Sequence, residues 1–194
     1  MKSYRIISGL IILILFKGAL SAQDNNCILK KSFPVKTGNE LRLSNKYGDV
    51  NVITGKGDSL IICSTVTIIQ EDKDLREKSM KMVTVNIEKL DDTINVATVF
   101  DKKFFNEEIR QGRTSFTVDY LVKVPVFMDV HIADEFGNIS VEELSGSLNI
   151  RLSQGVLSIK KLLRGKSCKE ILANKEAAAL CTDYNKLDIL LKGM

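Results

Sequence analysis

The sequence contains no tryptophan, two prolines and one histidine among its 194 residues. The prolines, Pro34 and Pro125, are too few for a proline-rich linker, so no hinge between domains is indicated. A serine, histidine and acid catalytic site would have to use His131. This residue lies between Val130 and Ile132 in an alternating run, and it therefore faces the side opposite to the apolar residues. We interpret His131 as a solvated strand residue.

Patterns for other kinds of catalysis are also missing. Glycosidases need two carboxylates at a defined separation, whereas Glu142 and Glu143 are adjacent in a strand pattern and point to opposite faces. The stretch from Gly55 to Asp58 has neither the spacing nor the following helix of a phosphate-binding loop. The sequence therefore predicts a protein that is not an enzyme and that binds no cofactor. A carbohydrate-active β-helix enzyme is the least favoured alternative, because it would need a cleft with clustered carboxylates.

The four cysteines have wide and irregular spacings without a C-x-x-C pair. A zinc cluster or a thioredoxin-like redox site is therefore unsupported. Cys63 lies inside an apolar strand pattern, where a free cysteine behaves as a small buried hydrophobic residue. Cys168 and Cys181 could form a disulfide across a turn if their Cα atoms lie within about 7 Å. Cys27 does not directly follow the small residues that end at Ala22, as a lipid-anchor cysteine would, so we expect no lipid anchor.

Charge is distributed unevenly between the N-terminus and the rest of the chain. Three of the 28 basic residues, Lys2, Arg5 and Lys17, fall within positions 1–22, which contain no acid. The remainder has 25 basic and 24 acidic residues, so it is nearly neutral. Nucleic acid is not expected as a partner, because binding to its phosphates needs a concentrated basic surface.

Residues 1–22 have the pattern of a secretory signal peptide. An apolar run from Ile6 to Phe16 follows two basic residues, and small residues then lead to Ala22. The run is shorter than the roughly 20 apolar residues that span a bilayer, so cleavage near Ala22 or Ser21 is favoured over an uncleaved anchor, and no membrane span is expected after cleavage. We therefore expect an exported protein, located in the periplasm or at the cell surface.

Alternating apolar residues dominate the chain after residue 40 and predict half-buried β-strands. The charged segment 71–82 interrupts the alternation, and we expect one short surface helix there with Asp72 or Asp74 near its N-terminus. The alternating sets are Leu41 and Leu43; Leu60, Ile62, Val66 and Ile68; Val83, Val85 and Ile87; Ile94, Val96 and Phe100; and Phe116, Val118, Tyr120, Val122 and Val124.

A longer repeat relates distant parts of the chain. The segment from Leu41 to Val52 matches the segment from Val130 to Val141 at a constant offset of 89 positions, as strand, glycine turn and strand. A second copy follows 18 positions on, from Ile150 to Ile159, and a fainter one follows at Ile171, Ala173 and Leu180. Periods of about 20 residues are typical of stacked solenoids.

The glycine turns have a structural explanation. Gly48, Gly137 and Gly155 suit bends in which glycine adopts positive φ at little steric cost. A calcium site is the alternative, because the neighbouring side chains of Asn45, Asp49, Asp134 and Asn138 are oxygen ligands. The dense glycine and aspartate repeat of calcium-binding β-rolls is absent, so we expect no metal.

The segments Lys31–Val35, Leu41–Val52, Val118–Tyr120, Val124–Pro125 and Phe136–Ile139 carry a family resemblance. The chain from about Ser32 to Leu162 resembles the adhesin-head domain family (GIN type, an adhesin-like β-solenoid) of exported bacterial proteins of unknown biochemical function. The resemblance implies an all-β fold, with an antiparallel β layer and one short helix running into a short right-handed β-solenoid.

We expect an N-terminal β region over residues 23–125, in which the stretch from Leu41 to Ile94 forms the antiparallel layer, and solenoid coils over residues 126–194. The coils degenerate at the C-terminal end, where the segment 174–180 replaces a glycine turn. An uncapped last coil would expose an apolar edge. The tail could fold over as a cap, or the protein could self-associate through the end of the solenoid.

Two stretches are candidate contact surfaces. The segment 101–113 separates two strands, and its Phe104, Phe105, Arg110 and Arg113 are of the types that supply interface hot spots. It could equally be a charged hairpin loop whose phenylalanines pack on the sheet. The second stretch is basic but has no interleaved aromatic residue, which is typical of a solvated turn. Its members are Lys160, Lys161, Arg164, Lys166 and Lys169.

These observations favour a non-enzymatic binding or scaffolding protein of the bacterial cell envelope, adhesin-like, with a protein or surface glycan as partner. The alternative is an envelope-sensing partner of a membrane-bound regulator, as in anti-sigma signalling.

Overall fold

The computed structural model describes residues 27, 29–104, 107, 112, 114–162, 170–173, 177–181 and 189–191. Strands account for most of them, so the fold is all-β with a short helix. The strands are β1 Leu29–Pro34, β2 Glu40–Tyr47, β3 Val50–Gly55, β4 Ser59–Ile69, β5 Val83–Leu90, β6 Thr93–Phe100, β7 Ser115–Pro125, β8 Asp129–Phe136, β9 Ile139–Leu144, β10 Leu148–Leu162, β11 Glu170–Ala173, β12 Ala177–Cys181 and β13 Ile189–Leu191. The helices are α1 Lys73–Met80 and the single turn α2 Lys102–Phe104.

The strands form one curled, mixed sheet with two halves. Half A has the order β1, β4, β7, β3, β9, the second part of β10, and β12. Half B has the order β5, β6, β2, β8, the first part of β10, β11 and β13. The strand β10 joins the two halves at Gly155. The apolar residues of both halves belong to a single buried cluster between them, as the alternating pattern predicts.

The centre of both halves is parallel. In half B, β2 pairs with β6 on one side and β8 on the other, and β8 pairs with β10. In half A, β3 lies between β7 and β9, and β9 pairs with β10. Leu41 lies opposite Val130, and Ile132 lies opposite Ile150. The registers therefore coincide with the two repeat offsets of the sequence.

The expected antiparallel layer from Leu41 to Ile94 is wrong in part. Antiparallel pairing is found where β1 and β7 flank β4, and where β5 pairs with β6. In contrast, β2, β3 and β6 belong to the parallel centre. The error arose because a long connection separates β6 from β7, the strands that pair in parallel with β2 and β3, so these two strands do not follow the repeat of strand, glycine turn and strand. The pairing of β2 with β8 also joins the regions 23–125 and 126–194, whose boundary stays a prediction.

The expected helix over 71–82 is present as α1, Lys73–Met80. The side chain of Asp72 accepts a hydrogen bond from the backbone N–H of Leu75 and so caps the first turn. Asp74 lies in the first turn, where its negative charge is favourable, and Lys78 lies in the last. Ser79 is buried against the sheet. The short helix is therefore positioned mainly by the Asp72 cap and by the side that carries the buried Ser79.

Two lysines link the free edges of the halves at the N-terminal end of the stack. The Nζ atom of Lys31 on β1 donates to the carbonyl oxygen of Ile87 on β5, at 3.3 Å. The Nζ atom of Lys89 on β5 donates to the carbonyl oxygen of Pro34 on β1, also at 3.3 Å. Edge carbonyls that would otherwise be open to another strand thus have charged partners.

Cys63 is not a free thiol, contrary to the interpretation from the strand pattern. It forms a disulfide with Cys27, with Cα atoms 5.5 Å apart. Alternation places Cys63 on the outer side of β4, between buried Ile62 and Ser64, where the segment preceding β1 can reach it. Cys168 lies outside the described residues, so the pairing of Cys168 with Cys181 stays a prediction.

Candidate functional site

A shallow groove of about 310 Å³ lies on the outer face of half B. It runs across β6, β2, β8 and β10, approximately perpendicular to the strands. Its lining combines two arginines, one histidine, two asparagines, one serine and a floor of small and apolar residues. The lining residues are Arg42, Leu43, Ser44, Asn95, Val96, Ala97, His131, Ile132, Ala133, Asn149 and Arg151.

Strand register creates the groove. Asn95, Arg42, His131 and Asn149 lie opposite one another on successive strands and form a polar row. Two residues further along the strands, Ala97, Ser44 and Ala133 form a neighbouring row of small side chains that ends at Arg151. Because alternate residues share a face, the two rows lie side by side. The small row leaves the depression that the polar row borders.

One carboxylate orients two of the groove's basic side chains. Glu40 lies next to the polar row, which contains Arg42 and His131. The Oε1 atom of Glu40 accepts a hydrogen bond from the Nε atom of Arg42. Its Oε2 atom lies 3.5 Å from the Nε2 atom of His131. The side chain of His131 is 34% exposed, so it is at the outer surface as predicted, although it is in contact with an acid. Arg151 is exposed and forms no ion pair with any of the described side chains.

The groove was missed in the sequence because its residues occupy the outer positions of strands, where polar side chains are ordinary. A signal was nevertheless present. The longer repeat offset relates Arg42 to His131 and the shorter one relates His131 to Asn149, so the row could have been aligned. Asn95 has no such relation to the others.

The glycine turns are joined by a ladder of side-chain to backbone hydrogen bonds. The Oδ1 atom of Asp119 accepts from the backbone N–H of Asp49, and the Oδ1 atom of Asp49 accepts from that of Asn138, both at 2.8 Å. The Oδ1 atom of Asn138 then accepts from the backbone N–H of Val156 at 3.0 Å. Two of the four residues considered as calcium ligands, Asp49 and Asn138, thus bind neighbouring turns. No group of three or more acidic, histidine or cysteine side chains among the described residues has metal-binding geometry.

The other two candidate calcium ligands are buried in the core. The Nδ2 atom of Asn45 donates to the carbonyl oxygens of Gly48 and Val118, at 3.1 and 3.0 Å. Its Oδ1 atom accepts from the hydroxyl of Thr98, which in turn accepts from the hydroxyl of Tyr120 at 2.6 Å. Burial raises the pKa of Tyr120 to about 12, so its hydroxyl stays protonated and able to donate.

Asp134 lies opposite Asn45 in the register and is 2% exposed. Neither carboxylate oxygen has a hydrogen-bond partner among the described residues. Burial raises the pKa of Asp134 to about 7, although the nearby backbone N–H groups of Phe136 and Glu135 act in the opposite direction. The negative charges of Asp49 and Glu135 add to the rise. Asp134 is a feature of the core, separate from the groove.

Aromatic rings line the corner where β2 and β8 end. The rings of Tyr47 and Phe136 are stacked, with centroids 5.1 Å apart and planes 8° apart. Phe116 meets the Tyr47 ring edge-on at 5.1 Å, and Phe100 lies 4.9 Å from Phe116. The ammonium of Lys46 lies 5.7 Å from the centre of the Tyr47 ring. These contacts stabilise the turns in the manner of ordinary aromatic pairs.

The turn glycines lie where neighbouring turns approach closely. Gly48 and Gly155 have the expected positive φ, at +118° and +135°, whereas Gly137 does not, so the expectation is wrong for that turn. A Cβ atom on Gly137 would overlap the carbonyl oxygen of Gly48, and one on Gly155 would overlap that of Gly137. The three glycines therefore permit the stacking of successive turns.

The predicted contact loop lies largely outside the described residues. Phe104 ends α2, whereas Phe105, Arg110 and Arg113 are not among them. In the predicted basic stretch, Lys160 lies 4.0 Å from Glu142 and Lys161 lies 3.8 Å from Glu143. Both lysines therefore have acidic partners, while Arg164, Lys166 and Lys169 lie outside the described residues.

No family model matches the chain, and no curated protein matches it. Among solved structures, the chain is similar to a "putative cell adhesion protein" from Clostridium sporogenes, with 11% identity, a TM-score of 0.35, and coverage of 69% of this chain and 72% of that one. This likeness is too distant to support an argument about function. Within the described segments, none of the helices has the length and hydrophobicity needed to cross a bilayer.

Proposed function

We propose that this is an exported, non-enzymatic binding or scaffolding protein of the bacterial cell envelope, adhesin-like, with a right-handed β-solenoid at its centre. The groove on the outer face of half B is its contact surface. The observation that carries the proposal is the alignment of Asn95, Arg42, His131 and Asn149 in one polar row on the outer face, beside a floor of small residues. Such a row offers hydrogen-bond donors to a ligand that lies across the strands.

The groove favours binding over catalysis. A nucleophile needs a base within hydrogen-bond reach, and no hydrogen bond joins Ser44 to His131 among the described residues. His131 instead faces Glu40, which also holds Arg42. The glutamates that a glycosidase would use, Glu142 and Glu143, lie near lysines on β10. Each of these three glutamates therefore lies beside basic side chains. Among the described residues, they do not form an acid and base pair around a cleft.

The proposal is tested with the exported product of the full chain. Cell fractionation should find it outside the cytoplasm with residues 1–22 removed. In a sedimentation assay with purified bacterial envelopes, the variant Arg42→Gln/Arg151→Gln should bind at least about tenfold more weakly than the unaltered protein, because two charge-assisted contacts are lost.

The matched control is Lys73→Gln/Arg76→Gln, which removes the same charge from exposed α1 and should bind normally. Retention of the protein in the cytoplasm would contradict export. Equal binding by the groove variant and the unaltered protein would contradict the assignment of the groove.

A further inference from the structure

The chemistry of the groove limits its occupant. Its lining contains two guanidinium groups, Arg42 and Arg151, and no acidic residue. Glu40 borders the groove and is in contact with Arg42 and His131, so it offsets one positive charge. Arg151 keeps its charge free of any described ion-pair partner. The groove is therefore complementary to a ligand with negative charge.

The neutral lining residues point to a ligand that also carries hydroxyl groups. The side-chain amides of Asn95 and Asn149 flank Arg42 and His131 in the same row. Each amide offers both donors and an acceptor, which suits hydroxyls that donate and accept at once. Arginine forks, in contrast, pair bidentately with carboxylates. A polymer with alternating hydroxyl and carboxylate groups would satisfy both kinds of side chain.

The spacing of the row argues against an extended peptide. Neighbouring strands place row members about 4.7–4.9 Å apart, whereas side chains on one face of an extended peptide recur at about twice 3.3 Å. A peptide that adds to a sheet also needs the free backbone groups of an edge strand. The groove lies on the face of β2, β8 and their neighbours, whose backbone groups are already paired.

We infer that the groove binds an acidic polysaccharide, a glycan whose sugar units carry carboxylates, with Arg151 and Arg42 holding the carboxylates and Asn95 and Asn149 the hydroxyls. This inference rests on the proposed function, because it names the ligand class of the same surface. The row of small side chains, Ala97, Ser44 and Ala133, provides the space in which the sugar rings lie.

The test uses the exported full-chain product and two polymers with the same backbone. Polygalacturonate carries a free carboxylate on each unit, and its fully methyl-esterified form carries none. Titration calorimetry at physiological ionic strength should show binding of polygalacturonate and at least about tenfold weaker binding of the ester. Arg151→Gln should weaken binding of the acid at least about tenfold, and Asn149→Ala should weaken it less.

Arg76→Gln is the matched control, because it removes one exposed arginine charge from α1, away from the groove. Binding reduced equally by Arg76→Gln and Arg151→Gln would show only diffuse charge attraction and would overturn the inference. Equal binding of the acid and the ester would also overturn it. Circular dichroism verifies that the variants are folded.

Failure of the inference is distinguishable from failure of the proposed function. If the groove variant loses envelope binding but polygalacturonate neither binds nor competes, the proposed function stands and the acidic glycan is wrong. If the groove variant keeps envelope binding, the contact surface itself is wrong, whatever the polymers do.

Discussion

Asp134 on β8 lies directly opposite Asn45 on β2, in equivalent positions before a glycine turn, yet within the described part of the chain only Asn45 has hydrogen-bond partners for its side chain. The Nδ2 atom of Asn45 donates to the carbonyl oxygen three residues further on, that of Gly48. A carboxylate at residue 134 has no proton with which to do the same for Gly137. A buried, unpartnered charge is expensive, and the raised pKa of Asp134 follows from that cost.

Asp134→Asn should stabilise the protein at neutral and alkaline pH. The acid has a pKa of about 7 when folded and 3.8 as its ordinary value. Its folded form therefore binds the extra proton between these values, and stability is lost as pH rises from about 4 to about 7. The full difference corresponds to about 4 kcal/mol as an order of magnitude, and an amide avoids it while supplying the donor.

Urea unfolding at several pH values checks this prediction. The advantage of Asp134→Asn over the unaltered protein should be smallest near pH 4, grow up to about pH 7 and then level off. Asp58→Asn, the same change at an exposed residue, should give no such pH-dependent gain. A constant difference at all pH values would show that ionisation of Asp134 is not its cause.

Gly137→Ala should destabilise the protein by about 3 kcal/mol or more, because the added Cβ would overlap the carbonyl oxygen of Gly48. Gly38→Ala is the comparison. Gly38 has φ of +95° and open space around it, so alanine there meets only the backbone penalty of about 1–2 kcal/mol. Chemical denaturation measures both. Equal costs would mean that close approach of the turns contributes little at residue 137.

Reduction of the disulfide between Cys27 and Cys63 should lower the free energy of unfolding by about 2–4 kcal/mol, because the bond closes a chain segment with a sequence separation of 36. Cys27→Ser should lower the free energy of unfolding by a similar amount, because it removes the same bond. Mass spectrometry of peptides from the unreduced protein should recover the linked pair. The same spectra test the predicted bridge between Cys168 and Cys181.

Replacement of Lys31 and Lys89 by serine should promote self-association. These lysines donate to backbone carbonyls of Ile87 and Pro34 at the two free edges, and edges without charged partners can pair with other strands. Light scattering after size-exclusion chromatography should show a higher mass for the double variant. Lys56→Ser/Lys81→Ser removes two exposed lysines elsewhere, and an equal increase in mass there would point to lost charge alone.

Much of the strand register could be predicted from the sequence. The offset that relates Leu41 to Val130 is the offset at which β2 and β8 pair, and the shorter one relates β8 to β10. Apolar alternation fixed which side chains face the core, because a slip by one residue would expose all of them. The helix was also expected, and Asp72 caps it.

The position of β6 and β7 could not be predicted in this way. Ile94 lies opposite Leu41, whereas Tyr120 lies opposite Val50, and the separation along the chain is larger for the second pair than for the first. The long connection between β6 and β7 makes the two separations differ, so no constant repeat relates this pair of strands to the others. Arg151 gave no signal either, because an outward arginine on a strand looks like ordinary surface.

The place of β2 and β3 in the stack has a consequence for the time course of folding. Their parallel neighbours, β6 with β7 on one side and β8 with β9 on the other, all come later in the chain. Residues 40–55 therefore leave the ribosome on the order of ten seconds before the last of these neighbours is synthesised. The centre of the molecule cannot form coil by coil during translation. Folding must wait for contacts between distant parts of the chain, which makes it slow, and slow folding is compatible with the export that we propose, since a translocation pore admits an unfolded chain.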